Sequence, residues 1–265
     1  MAYSITYNGT SSESLGLIVT NKPCPSAAAL KLNENEVPGR DGSLFTFDGA
    51  VSDIAITVAV AFKGATEAAL HEKYYKTKAW LLQQHTYKPY LTTDGIYVIN
   101  TENSVVDLAM SGERMLSFSD DTLGFYRVKY VTVDTSERIA RLTGTLEATF
   151  VCQGYRYLVS GASFYPRASI SLTNDYELCK PVYKFVGDAL YTITTNGETF
   201  RINVTGTTFV DSEFMIAYRD DGTVCNADTV GNYESLWYLP GTNTQTANAS
   251  ATGCRIYVMP RRRTL

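Results

Sequence analysis

The run Val37-Pro38-Gly39-Arg40-Asp41-Gly42-Ser43-Leu44 restricts the possible folds of this chain more than any other stretch. Proline fixes φ and lacks a backbone donor, while glycine reaches conformations a helix does not use, so the run is a tight turn. Beyond it the sequence alternates as far as Phe62. Ile54, Ile56, Val58, Val60 and Phe62 fall on one face of a strand, and Ala55, Thr57, Ala59 and Ala61 on the other. The bulky face is expected to meet a core. The small face suits close approach by a second layer or a neighbouring subunit.

The rest of the first half supplies few helices. Residues 3–9 and 15–20 read as short strands around a polar turn, and Asn21 to Glu36 reads as loop. One helix is expected from about Thr66 to Gln84, with Thr66 as its cap and Leu70, Tyr74, Thr77 and Leu81 at helical spacing. Trp80 and Leu81 would anchor it to a sheet, with Lys73, Lys76 and Lys78 on the solvated side. Tyr87 to Ile99 reads as a hairpin around Asp94-Gly95. Glu102 to Gly124 is a polar excursion with a short strand at Met115–Phe118. Strands are expected at Tyr126–Val133 and Thr145–Cys152.

The pattern changes near residue 155. Beyond it short strands alternate with turns: Ser169–Thr173, Pro181–Val186, a hairpin from Tyr191 to Val204 through Asn196-Gly197, then Glu213–Tyr218, Leu236–Leu239 and Arg255–Met259. Such spacing reads as an antiparallel sandwich. The expected fold class is therefore mainly β: an α+β domain over 1–155 and a sandwich over 156–265, with the last strand free to return to the first domain.

Several functions lose support on composition. A net charge of -4 gives no basic surface for nucleic acid. No window nears the roughly 18 apolar residues of a membrane span. Met1–Ile5 has no basic and apolar signal pattern, so synthesis in a cytoplasm is expected. The five cysteines, Cys24, Cys152, Cys179, Cys225 and Cys254, are scattered singly and read as reduced thiols. The 19 tyrosines suit sheet faces and half-wet interfaces.

Catalytic chemistry finds no foothold. The only histidines, His71 and His85, are fourteen residues apart and cannot pair as i, i+4 metal ligands. There is no nucleophile elbow. Gly39-Arg40-Asp41-Gly42-Ser43 lacks the Gly-Lys-Ser/Thr end of a phosphate loop, and Asp220-Asp221-Gly222 lacks the remaining calcium ligands. Arg261-Arg262-Arg263 reads as a solvated tail or as salt bridges to a neighbour. No cofactor, no metal and no enzyme are expected.

Taken in order, these motifs resemble the distal tail (Dit) proteins of long-tailed, non-contractile bacteriophages, particularly of Gram-positive hosts. The resemblance rests on Leu15-Gly16-Leu17-Ile18-Val19, the Val37–Leu44 turn, the helix ending Trp80-Leu81 and Gly144–Cys152. In the second half it rests on Asn174, Pro181, Asn196-Gly197, Leu239-Pro240-Gly241-Thr242-Asn243 and Pro260–Leu265. Gln153-Gly154 stands where the family usually has proline. The resemblance implies a tail-tube-like first domain, a β-sandwich or barrel with one packed helix, arranged as a hexameric ring around a channel. It implies a galectin-like second domain projecting outward.

Such a ring would be a structural hub at the distal end of the virion tail. It would join the tail-tube protein to a tail-associated tip protein, with receptor-binding or accessory baseplate proteins as further partners. DNA would pass through without sequence-specific binding, and no membrane partner is implied. Arg40 and Asp41 are the expected interface contacts, an internal turn salt bridge being the alternative. A second function is a carbohydrate-binding adhesion module recognising host cell-wall glycan through Trp237 and Tyr238, where a core role for Trp237 competes.

Overall fold

The computed structural model describes residues 3–36, 38, 41–82, 89–91, 97–99 and 114–265. The chain divides into two units, one of residues 1–85 and 113–156 with Leu265, the other of residues 86–112 and 157–264. In the first, β1 (Ile5–Tyr7), β2 (Thr10–Ser11) and β3 (Ile18–Val19) are short strands, as the sequence suggests. Asn21 to Glu36 is not all loop: Leu30–Asn35 forms β4, which pairs antiparallel with β5 (Leu44–Val51). Of the Pro38–Gly42 run, Pro38, Asp41 and Gly42 are described, and they fall between these two strands. The long alternating strand is a separate element, β6 (Ile54–Lys63).

β6 separates its faces as its pattern requires. Ile54, Ile56, Val58, Val60 and Phe62 are buried, whereas Ala55, Thr57, Ala59 and Ala61 are not. Helix α1 (Glu67–Leu82) starts where Thr66 Oγ1 accepts the Ala69 N–H at 3.1 Å. Its buried Leu70, Thr77 and Leu81 and half-buried Tyr74 join the bulky face of β6 in one core. Trp80 meets the Tyr7 ring edge-on and donates from Nε1 to the Tyr7 carbonyl at 3.4 Å, so the expected anchor exists. Lys73 departs from its expected place in solvent, since its ammonium donates to the Gly16 carbonyl at 2.7 Å.

Next come β7 (Pro89–Leu91) and β8 (Tyr97–Ile99), which pair antiparallel. The Asp94-Gly95 turn, His85 and Glu102–Gly112 lie outside the described residues. β9 (Arg114–Phe118) precedes two long strands, β10 (Asp121–Ala140) and β11 (Thr143–Leu158). The main sheet of the first unit runs β2-β1-β9-β10-β11-β6-β3. β10 extends well past the expected end at Val133, and its last seven residues, Asp134 to Ala140, are exposed.

The second unit is an antiparallel sandwich. Its strands are β12 (Tyr165–Pro166), β13 (Thr173–Asn174), β14 (Val182–Val186), β15 (Ala189–Thr195) and β16 (Glu198–Val204). β17 (Thr207–Asp211), β18 (Ile216–Arg219), β19 (Thr229–Val230) and β20 (Gly241–Thr242) follow. The last are β21 (Gln245–Ala249), β22 (Arg255–Met259) and β23 (Arg263–Thr264). One sheet is ordered β12-β22-β14-β17-β18 and the other β19-β16-β15-β21. Tyr183, Phe185, Val210 and Val258 of the first meet Tyr191, Ile193, Phe200 and Ile202 of the second in a shared core.

Asn196 and Gly197 take φ of 51° and 91°, the positive values that a two-residue hairpin between twisted strands demands. Two expectations fail here. Arg167–Ser169 and Tyr233–Leu236 are short 3-10 turns, so neither Ser169–Thr173 nor Leu236–Leu239 is a full strand.

Candidate assembly surface

The β4–β5 hairpin pairs with no other sheet among the described residues. Its register places Glu34 opposite Phe45, so Leu32, two residues from Glu34, shares a face with Phe45, and the register shifts between Leu32 and Leu30. Leu30, Leu32 and Phe45 are 49%, 50% and 57% exposed, although they are the residues a sheet would normally bury. A lone two-stranded ribbon is at best marginally stable in water, and contiguous exposed apolar groups mark an association surface.

The base of this arm is fixed firmly. Ser52 donates its N–H to the Ala29 carbonyl at 2.8 Å, and Ser52 Oγ accepts the Ala29 N–H at 3.1 Å. Gly154 of β11 lies directly beneath. A Cβ there would fall 2.2 Å from the Ser52 carbonyl oxygen and 2.6 Å from Ala28 Cβ, so only glycine lets the arm seat.

The open face of the first unit's sheet, away from the helix, is small and polar. Thr57 and Thr149 hydroxyls meet at 3.0 Å across β6 and β11. Thr149 donates to Asp134 Oδ2 at 2.5 Å, and Thr132 donates to Asp134 Oδ1 at 2.9 Å. Lys129 pairs with Asp53 at 2.7 Å. Such a face carries hydroxyls and paired charges, with Ile18, 65% exposed opposite Ala61, at its β3 edge.

Of the sequence-derived interface pair, Arg40 lies outside the described residues. Asp41 is exposed between β4 and β5, at the end of the arm. Trp237 and Tyr238 are adjacent in sequence but differ in setting. Tyr238 is 3% exposed, and its hydroxyl bonds Tyr183 OH at 3.1 Å, so burial takes it out of any surface contact. Burial also pushes its phenol above the ordinary range. Trp237 donates from Nε1 to the Ser212 carbonyl at 3.0 Å, and Lys180 Nζ sits 4.5 Å from its ring centre. That ring face is already occupied.

The arginine run is likewise not a free tail. Arg261 is buried and bonds Asp211 through both terminal nitrogens, at 2.9 and 2.7 Å. Arg263 pairs with Glu213 and donates to the Leu178 carbonyl. Sequence reasoning missed this because Asp211 lies 50 residues away and nothing local announces the pairing. The hairpin arm was missed for a related reason: no face of β4 reports a core.

Among the described residues no cluster of three or more His, Cys, Asp or Glu could hold a metal ion, and no helix is long and apolar enough to cross a membrane.

The described residues form a mainly β chain, with a helix-backed sheet in one unit and a sandwich in the other. A solved structure similar to it in fold is SPP1 Dit (gp 19.1), described as "a Paradigm of Hub Adsorption Apparatus in Gram-positive Infecting Phages". The match covers 100% of both chains with a TM-score of 0.59 and 13% sequence identity, and it establishes the fold. No protein-family model and no curated protein matches the sequence.

Proposed function

We propose that this chain is the subunit of a distal tail hub, a structural virion protein whose copies close into a sixfold ring. The ring joins the tail tube to the tail-associated tip protein and to accessory baseplate or receptor-binding proteins, and DNA crosses its central channel. The first unit acts as the tail-tube-like, ring-forming domain and the second as a galectin-like sandwich. The chain is a scaffold, not a catalyst.

The observation that carries this reading is the β4–β5 arm, whose Leu30, Leu32 and Phe45 are half exposed and which pairs with no other sheet among the described residues. A head-to-tail contact made by such an arm repeats from copy to copy until the rotation closes. The hydroxyl and carboxylate groups of Thr57, Thr149 and Asp134 suit a channel wall, because they give a passing polyanion a hydrated surface with little to adhere to. The full-length protein, alone or with its tube and tip partners, is expected to yield a closed hexamer by native mass spectrometry. Phe45→Glu should remain folded and fail to close, and an intact ring in that variant would reject the arm as its contact.

A further inference from the structure

The sandwich holds a cleft that the hub reading does not use. It opens between the edges of the two sheets, where β21 of one faces β12 and β22 of the other, and measures about 570 Å³. That is the size of a small-ligand site. Ala168, Ala247 and Ile256 supply apolar wall, and Arg167, Arg255 and Tyr257 also line it. No carboxylate lines it.

Arg167 is held in place by a buried polar chain. Its Nη2 donates to the Gln245 carbonyl at 2.8 Å, and its Nε donates to Gln245 Oε1. Gln245 is fixed in turn, its Nε2 donating to Tyr183 OH at 2.8 Å and to Thr195 Oγ1 at 2.7 Å. Tyr183 and Thr195 are buried. Arg255 is exposed on β22. Among the described residues neither Arg167 nor Arg255 pairs with a carboxylate, whereas Arg141, Arg156, Arg219 and Arg261 each do.

Two arginines without a carboxylate partner, one of them preorganised, suit a phosphate or carboxylate. The apolar wall of Ala247 and Ile256 suits the carbon-bound hydrogens of a sugar ring. We propose that this cleft binds an anionic saccharide, with the anionic group on Arg167 and Arg255 and the sugar ring against Ala247 and Ile256. The site is independent of ring closure, so failure of the hexamer would leave it standing.

Calorimetric titration of the full-length protein with glucose 1-phosphate, glucuronate, glucose, inorganic phosphate and an oligoglutamate peptide tests the assignment. Saturable binding of glucose 1-phosphate or glucuronate is expected, and the tighter of the two identifies phosphate or carboxylate as the anion. Glucose should not bind, and inorganic phosphate should bind more weakly than the preferred sugar anion. Affinity should fall with added salt and by about tenfold or more in Arg255→Gln, whose exposed side chain leaves folding intact, and in Arg167→Gln. The proposal is overturned by silence from both sugar anions, by unchanged affinity in Arg255→Gln, or by equal binding of glucose or bare phosphate. Tighter binding of the peptide than of either sugar anion would also overturn it and assign the cleft to a protein partner.

Discussion

Gly154, Asp121 and Arg261 show how single side chains, or the lack of one, set local structure. A methyl group at Gly154 would strike backbone at Ser52, not a flexible side-chain end, so the contact cannot relax cheaply. Gly154→Ala is expected to cost about 1–3 kcal/mol in denaturant unfolding and to speed hydrogen exchange at Ala29 and Ser52. Asp121 takes both oxygens to Arg156, at 2.7 and 2.5 Å, and this hydrogen bonding is the main cause that holds its carboxyl below the ordinary range. A depressed carboxylate stabilises the fold above its unfolded pKa and ceases to do so as pH falls through the folded one. The stability lead of the native protein over Asp121→Asn should therefore be full at about pH 6 and shrink below about pH 4, followed by thermal melts. An unchanged lead at low pH would refute the pairing. Arg261→Ala leaves Asp211 buried without its partner and should cost about 3–5 kcal/mol. Adding Asp211→Asn should recover only part of that, because Asp211 also accepts the Glu213 and Phe214 N–H groups at 2.9 and 3.1 Å. Little of this residue-scale detail is legible in sequence. Three adjacent arginines look like a solvated run, and only the fold brings Asp211 and Glu213 to two of them.

Elements were readable where a pattern had one cause. β6 follows from strict alternation against a core, and α1 from apolar residues at helical spacing behind a threonine cap. Asn196-Gly197 set a hairpin because few dipeptides accept two positive φ values in succession. β4 was hidden because Leu30 to Asn35 is exposed throughout, so burial never wrote an alternation into it. The same holds for the end of β10, where Ile139 stands 65% exposed in an otherwise polar run. Both illegible stretches are exposed, and the end of β10 is held to α1 by polar contacts, Tyr74 with Ser136 and Arg138 with Glu67, which leave no apolar period in the sequence. Leu32→Glu, on the face shared with Phe45, should leave the thermal midpoint nearly unchanged while lowering the oligomeric mass. A lowered midpoint with the mass unchanged would place Leu32 in an internal core.

At the scale of the whole molecule, the two-part β architecture was legible, and so was its resemblance to phage distal tail proteins, at an identity of 13% to the solved structure it matches. The candidate surface was legible only in part. Asp41 is exposed between β4 and β5, whereas the exposed apolar residues Leu30, Leu32 and Phe45 were invisible as a set until β4 and β5 paired. Of the adjacent aromatics, Tyr238 belongs to the interior, while Trp237 is half-buried with Lys180 over its ring. The central claim is that copies of this chain form a ring at the lower end of a tail tube. Electron microscopy of tails carrying an antibody-labelled copy tests it most directly: the account predicts label in a ring at the junction of tube and tip, and label along the shaft, at the head, or absent from the tail would contradict it.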